Sequence, residues 1–260
     1  MMARWWRRAP EAPRRGLPPG VAVYAVGDVH GRADLLERMH DRIAADMAAF
    51  LGADPANTVE LVHLGDYVDR GPASNRVLDL VDRAWPERVR VTNLRGNHER
   101  AMLDFLDDPE LAAGRWLGFG GLEALRAYGV ALDLSLGEAD RLGRAREALN
   151  RALPERHRAL LAELVAWHRV GDYFFAHAGV DPRKPLDRQD ESALLWMREP
   201  FLSHPRPLAQ MVVHGHTVTK EPVVLPHRIG VDLGAYATGR LAALALRDGE
   251  PPRFLIVEGS

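Results

Sequence analysis

The chain has 260 residues, 11 histidines and no cysteine. That length fits one domain, or two small ones, and allows a substantial core. Without cysteine there are no disulfides, thiolate zinc sites, iron–sulfur clusters or thiol nucleophile, so any metal must be held by oxygen and imidazole nitrogen. A 47% hydrophobic, 27% charged composition is that of a soluble globular protein, and 34 basic against 36 acidic residues argue against a dedicated nucleic-acid binder.

Residues 1–20 read as a flexible basic arm. They carry five arginines, two tryptophans and four prolines with no apolar period. No apolar run follows the charges, so a signal peptide is not expected, and no stretch is long enough for a membrane span. Trp5 and Trp6 beside Arg7 and Arg8 read either as a contact for a surface or as part of a tail. Cytoplasmic location and a monomer are the default expectations.

Residues 21–260 read as one domain. Short apolar runs at 21–26, 59–64, 89–94, 173–176 and 211–213, all but the fourth rich in valine, each close on a polar, glycine-containing cluster, the pattern of a buried strand followed by a sharp turn. A helix is expected between the first two runs, with Asp34 and Glu37 resembling a capping box and Leu35, Leu36, Met39, Ile43, Met47 and Phe50 at helical spacing. A second helix fits 74–84. Residues from about 100 to 168 read as a mostly helical insertion that could roof a site. After His216, runs at 228–233, 241–247 and 254–257 look like a β-meander completing a second sheet. The fold class is therefore α/β.

In open α/β sheets the ligand site lies beyond the carboxyl ends of the strands, where all five polar clusters fall. They bring Asp28, His30, Asp66, Asp69, Arg70, Asn97, His98, His177, His214 and His216. Asp28 and His30 are two apart, so an extended segment would point both to one side. Asp66 could bridge two ions, with Asn97, His177 and His216 as ligands to the second. Such ion pairs activate a water and clamp the oxygens of an in-line displacement. Two divalent ions outweigh Asp28, Asp66 and a bridging hydroxide, and Arg70 adds positive charge, so a phosphate ester suits the site. His98 can face the leaving group as general acid, with Asp69 orienting its imidazole.

GDVHG at 27–31, GDYVDRG at 65–71 and GNHE at 96–99 resemble the signature of calcineurin-like metallophosphoesterases. The full wording is similar to the phosphoprotein phosphatase family, which includes the serine/threonine protein phosphatases. His177 in AHAG and His216 in HGHT match its later ligand motifs. The resemblance implies two mixed β-sheets packed as a sandwich and flanked by helices. It implies Asp28, His30 and Asp66 at one metal, and Asp66, Asn97, His177 and His216 at the other. It further implies Arg70 on the phosphate, His98 with Asp69 at the leaving group, and Arg198, in a segment resembling the family's, as a second phosphate ligand. Two divalent ions follow, with manganese preferred over iron or zinc.

The expected activity is hydrolysis of phosphate monoesters, on phosphoserine and phosphothreonine in proteins or on small esters. The alternative is a symmetrical diadenosine tetraphosphate hydrolase, which typically has alanine where Asp69 stands and aspartate where Glu99 stands. A non-catalytic scaffold on this fold should have lost a ligand or the acid, and none is missing. His214 reads as support for the ligands or as packing. Asp232 reads as a partner of a ligand histidine or as part of a turn, and Tyr236 as a candidate pocket residue. Trp116, Phe119 and the glycines of 118–121 either line the entrance or pack. His40, His63, His157, His168, His204 and His227 are expected to be structural.

Overall fold

The computed structural model describes residues 15–259. Two five-stranded mixed sheets pack face to face, with helices outside the first. That sheet runs in the order β10-β9-β1-β2-β3, where β1 is Val21–Val26, β2 Thr58–His63, β3 Val89–Asn93, β9 Arg240–Arg247 and β10 Arg253–Glu258. β1, β2 and β3 are parallel, while β9 and β10 pair antiparallel. The second sheet runs β4-β5-β6-β8-β7, with β4 Trp167–Val170, β5 Tyr173–Ala176, β6 Met211–His214, β7 Val223–Leu225 and β8 Arg228–Gly230.

Strand alternation sorts the apolar residues into layers. Val23 and Ala25 of β1 and Val62 of β2 face Phe175, Val213 and Ile229 across the sandwich. Ala22, Tyr24 and Val26 face the helices instead. Both faces of the first sheet are covered, so its strands read as continuous apolar runs. Helix α1 (Ala33–Ala53) buries Leu35, Leu36, Met39, Ile43 and Met47, the stripe expected from spacing. α2 (Ser74–Val81) lies beside it. The 100–168 region is mostly helical as expected: α3 (Asn97–Asp107), α4 (Pro109–Trp116), a kinked turn (Leu117–Gly121) with Gly120 at φ 103°, α5 (Leu122–Ala127), α6 (Glu138–Ala152) and α7 (Glu155–Glu163). Two short helices follow, α8 (Glu191–Trp196) and α9 (Ala235–Thr238).

Three local expectations are corrected. The last three strands do not form one meander. β8 lies beside β6 in the second sheet, whereas β9 and β10 complete the first. A turn in which Asp232 accepts from the Gly234 N–H at 2.8 Å, followed by α9, carries the chain between sheets. The capping box at Asp34 does not form, because the helix starts at Ala33 with Arg32 at its N-cap, which leaves Asp34 inside the first turn, where it takes the Arg32 guanidinium at 2.7 and 2.8 Å. The expected arm of residues 1–20 does not hold for its described part, from Arg15 on. Arg15 donates to the carbonyls of Leu208 and Ala209, and Leu17 is buried between the sheets. The remainder, including Trp5, Trp6, Arg7 and Arg8, lies outside the described residues. The edge strands β4 and β7 were not expected, since both are short and partly exposed and neither is a continuous buried apolar run.

Candidate active site

The loops after β1, β2, β3, β5 and β6 meet at one end of the sandwich. They surround a cavity of about 410 Å³ lined by Asp28, His30, Asp66, Arg70, Asn97, His98, Arg198 and His216. His177 lies directly beneath, bonded to Asn97 and His216. Every residue expected at the site is thus brought together, with Asp69 buried behind His98. The backbone shows what this convergence requires. Among the described residues, the non-glycine positions with positive φ are His30 (46°), Asp66 (54°), Asp69 (73°), Arg70 (64°) and His216 (60°). All five belong to the expected site set, and such conformations persist only where the surroundings enforce them. His30 is therefore not in an extended segment, so the i, i+2 expectation for Asp28 and His30 rests on a local geometry that the chain does not adopt.

Asp66 is the centre of the cluster. His30 Nδ1 bonds the Val68 carbonyl at 2.9 Å and His177 Nδ1 the Leu64 carbonyl at 2.9 Å, which directs each Nε2 inward. Each Nε2 stands 3.4 Å from Asp66 Oδ2. His177 Nε2 is also 2.9 Å from Asn97 Oδ1 and 3.2 Å from His216 Nδ1. Asp28 accepts the His216 N–H on Oδ2 at 2.9 Å, while its Oδ1 is buried without a partner. Electron-pair donors converge here with too few protons to separate them. Two groups, His30–Asp66–His98 and Asp66–His177–His216, have ligand atoms within 4.8 Å of one another and share Asp66. This hard oxygen and imidazole donor set fits divalent cations. The same demand for positive charge appears in His177. Burial opposes its protonation, yet Asp66 and Asp28 raise its pKa to about 10. A proton and a metal ion compete for that nitrogen. His30, by contrast, is held neutral by burial, which lowers it to about 3.

A second substructure flanks the first. His98 Nδ1 bonds Asp69 Oδ2 at 2.6 Å, and His98 Nε2 lies 3.1 Å from an Arg70 nitrogen. Burial works against a charged His98, but the charges of Asp66 and Asp69 outweigh it and raise its pKa. Burial likewise lifts Asp69 to about 6, against the pull of His98. The Arg70 guanidinium sits 4.6 Å from the centre of the Tyr236 ring, which also lines the cavity.

Glu99 was missed as a scaffold residue. Its buried carboxylate accepts from the backbone N–H of Asp66 (2.9 Å), Tyr67 (2.7 Å), Val68 (3.1 Å) and Gly96 (2.9 Å). One side chain thereby ties the GDYVDRG loop to the GNHE loop. Trp196 was also missed; it lines the cavity beside Phe119, their rings 5.6 Å apart. Neither has a periodic or spacing signal of its own. His214 packs against Phe201, and its ring bonds Gly215 and Arg228 rather than a ligand side chain. The structural histidines behave as expected: His157 bonds Tyr128 and Asp79, and His227 bonds the Phe201 carbonyl.

The model of the calcineurin-like phosphoesterases matches residues 21–225. The chain belongs to this family. It is therefore a hydrolase of the metallophosphoesterase type. Its relatives carry two kinds of name. Serine/threonine-protein phosphatase 2 of Escherichia coli strain K12 is 26% identical, over 85% of this chain and 90% of the relative. The asymmetrical bis(5'-nucleosyl)-tetraphosphatase of Bacillus thuringiensis strain Al Hakam is 23% identical, over 84% and 88%. Among solved structures, a candidate diadenosine tetraphosphatase superposes with a TM-score of 0.61 at 23% identity, covering 92% of this phosphoesterase and 94% of that chain. A cold-active protein tyrosine phosphatase variant gives 0.54 at 18% identity, covering 93% and 80%. Both likenesses extend the fold assignment alone. No helix among the described residues is long and apolar enough to cross a membrane.

Proposed function

We propose that this phosphoesterase hydrolyses phosphate monoesters of alcohols, with phosphoserine and phosphothreonine in proteins as its substrate class. The observation that carries the reading is the His98–Asp69 bond of 2.6 Å at the cavity wall. An alkoxide is a strongly basic leaving group and needs a proton as the phosphorus–oxygen bond breaks; a general acid supplies that need. A nucleotide leaving from an anhydride is already a stable anion and gains little from the same proton. Asp28, His30 and Asp66 would hold one divalent ion, and Asp66, Asn97, His177 and His216 a second, with manganese preferred by family resemblance. When bound, the pair supplies positive charge to the phosphoryl oxygens and lowers the pKa of water. Arg70 and Arg198 line the cavity where the remaining phosphoryl oxygens would sit. Asp69 keeps the His98 proton on Nδ1 and turns Nε2 toward the departing oxygen.

A dinucleoside polyphosphatase is the second reading, favoured by the name of the Bacillus relative. The test compares phosphoserine peptides with diadenosine tetraphosphate in manganese. Phosphopeptides should show the higher kcat/KM. His98→Asn should cost about 10²–10⁴-fold on the peptide and far less on the dinucleotide. A clear preference of the wild type for the dinucleotide would overturn the proposal.

A further inference from the structure

We infer that Trp116, contributed by the helical insertion, is a positioning residue that fixes the Asp69 carboxylate for His98. The inference rests on the reading of His98 as the leaving-group acid. The indole Nε1–H stands 3.1 Å from both Asp69 oxygens. Trp116 and Asp69 are both fully buried, so water cannot substitute for this donor. Asp69 Oδ2 is shared with His98, whereas Trp116 makes the one hydrogen bond to Oδ1 among the described residues. Without it the carboxylate keeps an unpaired buried oxygen and is free to rotate away from the imidazole.

The direction of the N–H is itself imposed by packing. The Trp116 ring lies 4.7 Å from that of Phe105. A Cβ added to Gly121 would stand 2.7 Å from the same ring, so only glycine lets the kinked turn close over it. That turn continues onto the neighbouring residue of the site. The Gly120 carbonyl accepts from the Arg70 N–H at 3.1 Å, and the Phe119 ring lies 5.4 Å from His98. A single stretch of the insertion thus touches Asp69, Arg70 and His98 in succession. Its role here is to orient the acid, besides any shaping of the entrance.

The test exploits leaving-group basicity. Wild type, Trp116→Phe and His98→Asn are assayed on a phosphoserine peptide and on 4-nitrophenyl phosphate, whose phenolate leaves readily. Trp116→Phe should lower kcat on the peptide by about tenfold, leave KM within about twofold, and change 4-nitrophenyl phosphate turnover by less than about threefold. A purely structural role would lower both substrates alike or act through KM, and either result overturns the inference. If His98→Asn discriminates between the esters and Trp116→Phe does not, the inference falls while the acid reading stands. If His98→Asn lowers both alike, the acid reading falls and takes the inference with it. Should Trp116→Phe fail to fold, benzothienylalanine placed at position 116 keeps the ring shape and replaces N–H by sulfur; the same discrimination is expected of it.

Discussion

Two groups of buried histidines lie close together and do opposite things. His40 of α1 meets His63 of β2 at 2.9 Å between Nε2 atoms, with Asn93 Oδ1 2.8 Å from the other His63 nitrogen. Among the described residues no carboxylate bonds that pair. Burial therefore decides, and it lowers His40 to about 2 and His63 to about 4. Three residues further along, Asp66 stands between His30 and His177, and the balance reverses for His177. Residue type and burial are matched between the two groups. What differs is nearby carboxylate charge: Asp66 stands within 3.4 Å of both His30 and His177, and together with Asp28 it outweighs burial at His177, whereas at His30 burial still prevails.

The contrast breaks most severely at Asp66. Asp66→Asn keeps the shape and removes the charge, so activity should fall at least about 10³-fold, the scale of several kcal/mol of lost charge stabilisation. Elemental analysis of the purified variant should show depleted divalent metal. Wild-type metal content with intact turnover would remove Asp66 from the centre. A smaller effect is expected where the backbone supports a ligand. A Cβ on Gly215 would stand 2.0 Å from Asp28 Oδ1, so Gly215→Ala must displace that carboxylate. A loss of about 10- to 100-fold in metal affinity is the expected range for disturbing ligand support, read by titrating apoprotein with manganese.

The mildest change belongs to the other group. His40→Leu should leave kcat within about twofold, since His40 lies outside the cavity. Its effect is on the pH dependence of folding. The folded-state pKa values of both histidines lie below the unfolded value of about 6.5. The stability they preserve is thus present above that value and is lost as pH falls toward their folded pKa values, because the unfolded chain binds the extra protons. Each contributes a loss of about 2 kcal/mol between pH 7 and pH 5. Denaturant unfolding at the two pH values should therefore show a smaller acid loss in His40→Leu than in the wild type. An unchanged pH slope would show that this pair does not govern acid sensitivity.

Much of this was readable from residues alone because strand ends announce themselves. A short apolar run closed by a glycine-containing cluster marks a buried strand, and the polar residue after it has one place to go. Asp28, Asp66, Asn97, His177 and His216 were placed in this way, and the helical stripe from Leu35 to Met47 followed from its period. The misses share a different cause. Glu99 acts on backbone N–H groups in another loop, and Trp116 acts on a carboxylate 47 positions earlier in the chain. Such pairs leave no local pattern. The strands after His216 were recognised but assigned to one sheet, because a run of alternating residues does not state which neighbour it will join. The capping box failed because the helix begins at Ala33, which puts Asp34 inside its first turn and not at its cap.

The place of β9 bears on the order in which the protein is made. β1, which delivers Asp28, lies between β2 and β9. One of its edges stays open until residues 240–247 have been synthesised and have turned back to pair with it. A nascent chain that has already produced its final site histidine, His216, still lacks the strand that closes this sheet. Closure of the first sheet thus waits on a segment beyond the last site residue, and a chain truncated after His216 would carry every proposed ligand while one edge of β1 stayed unpaired.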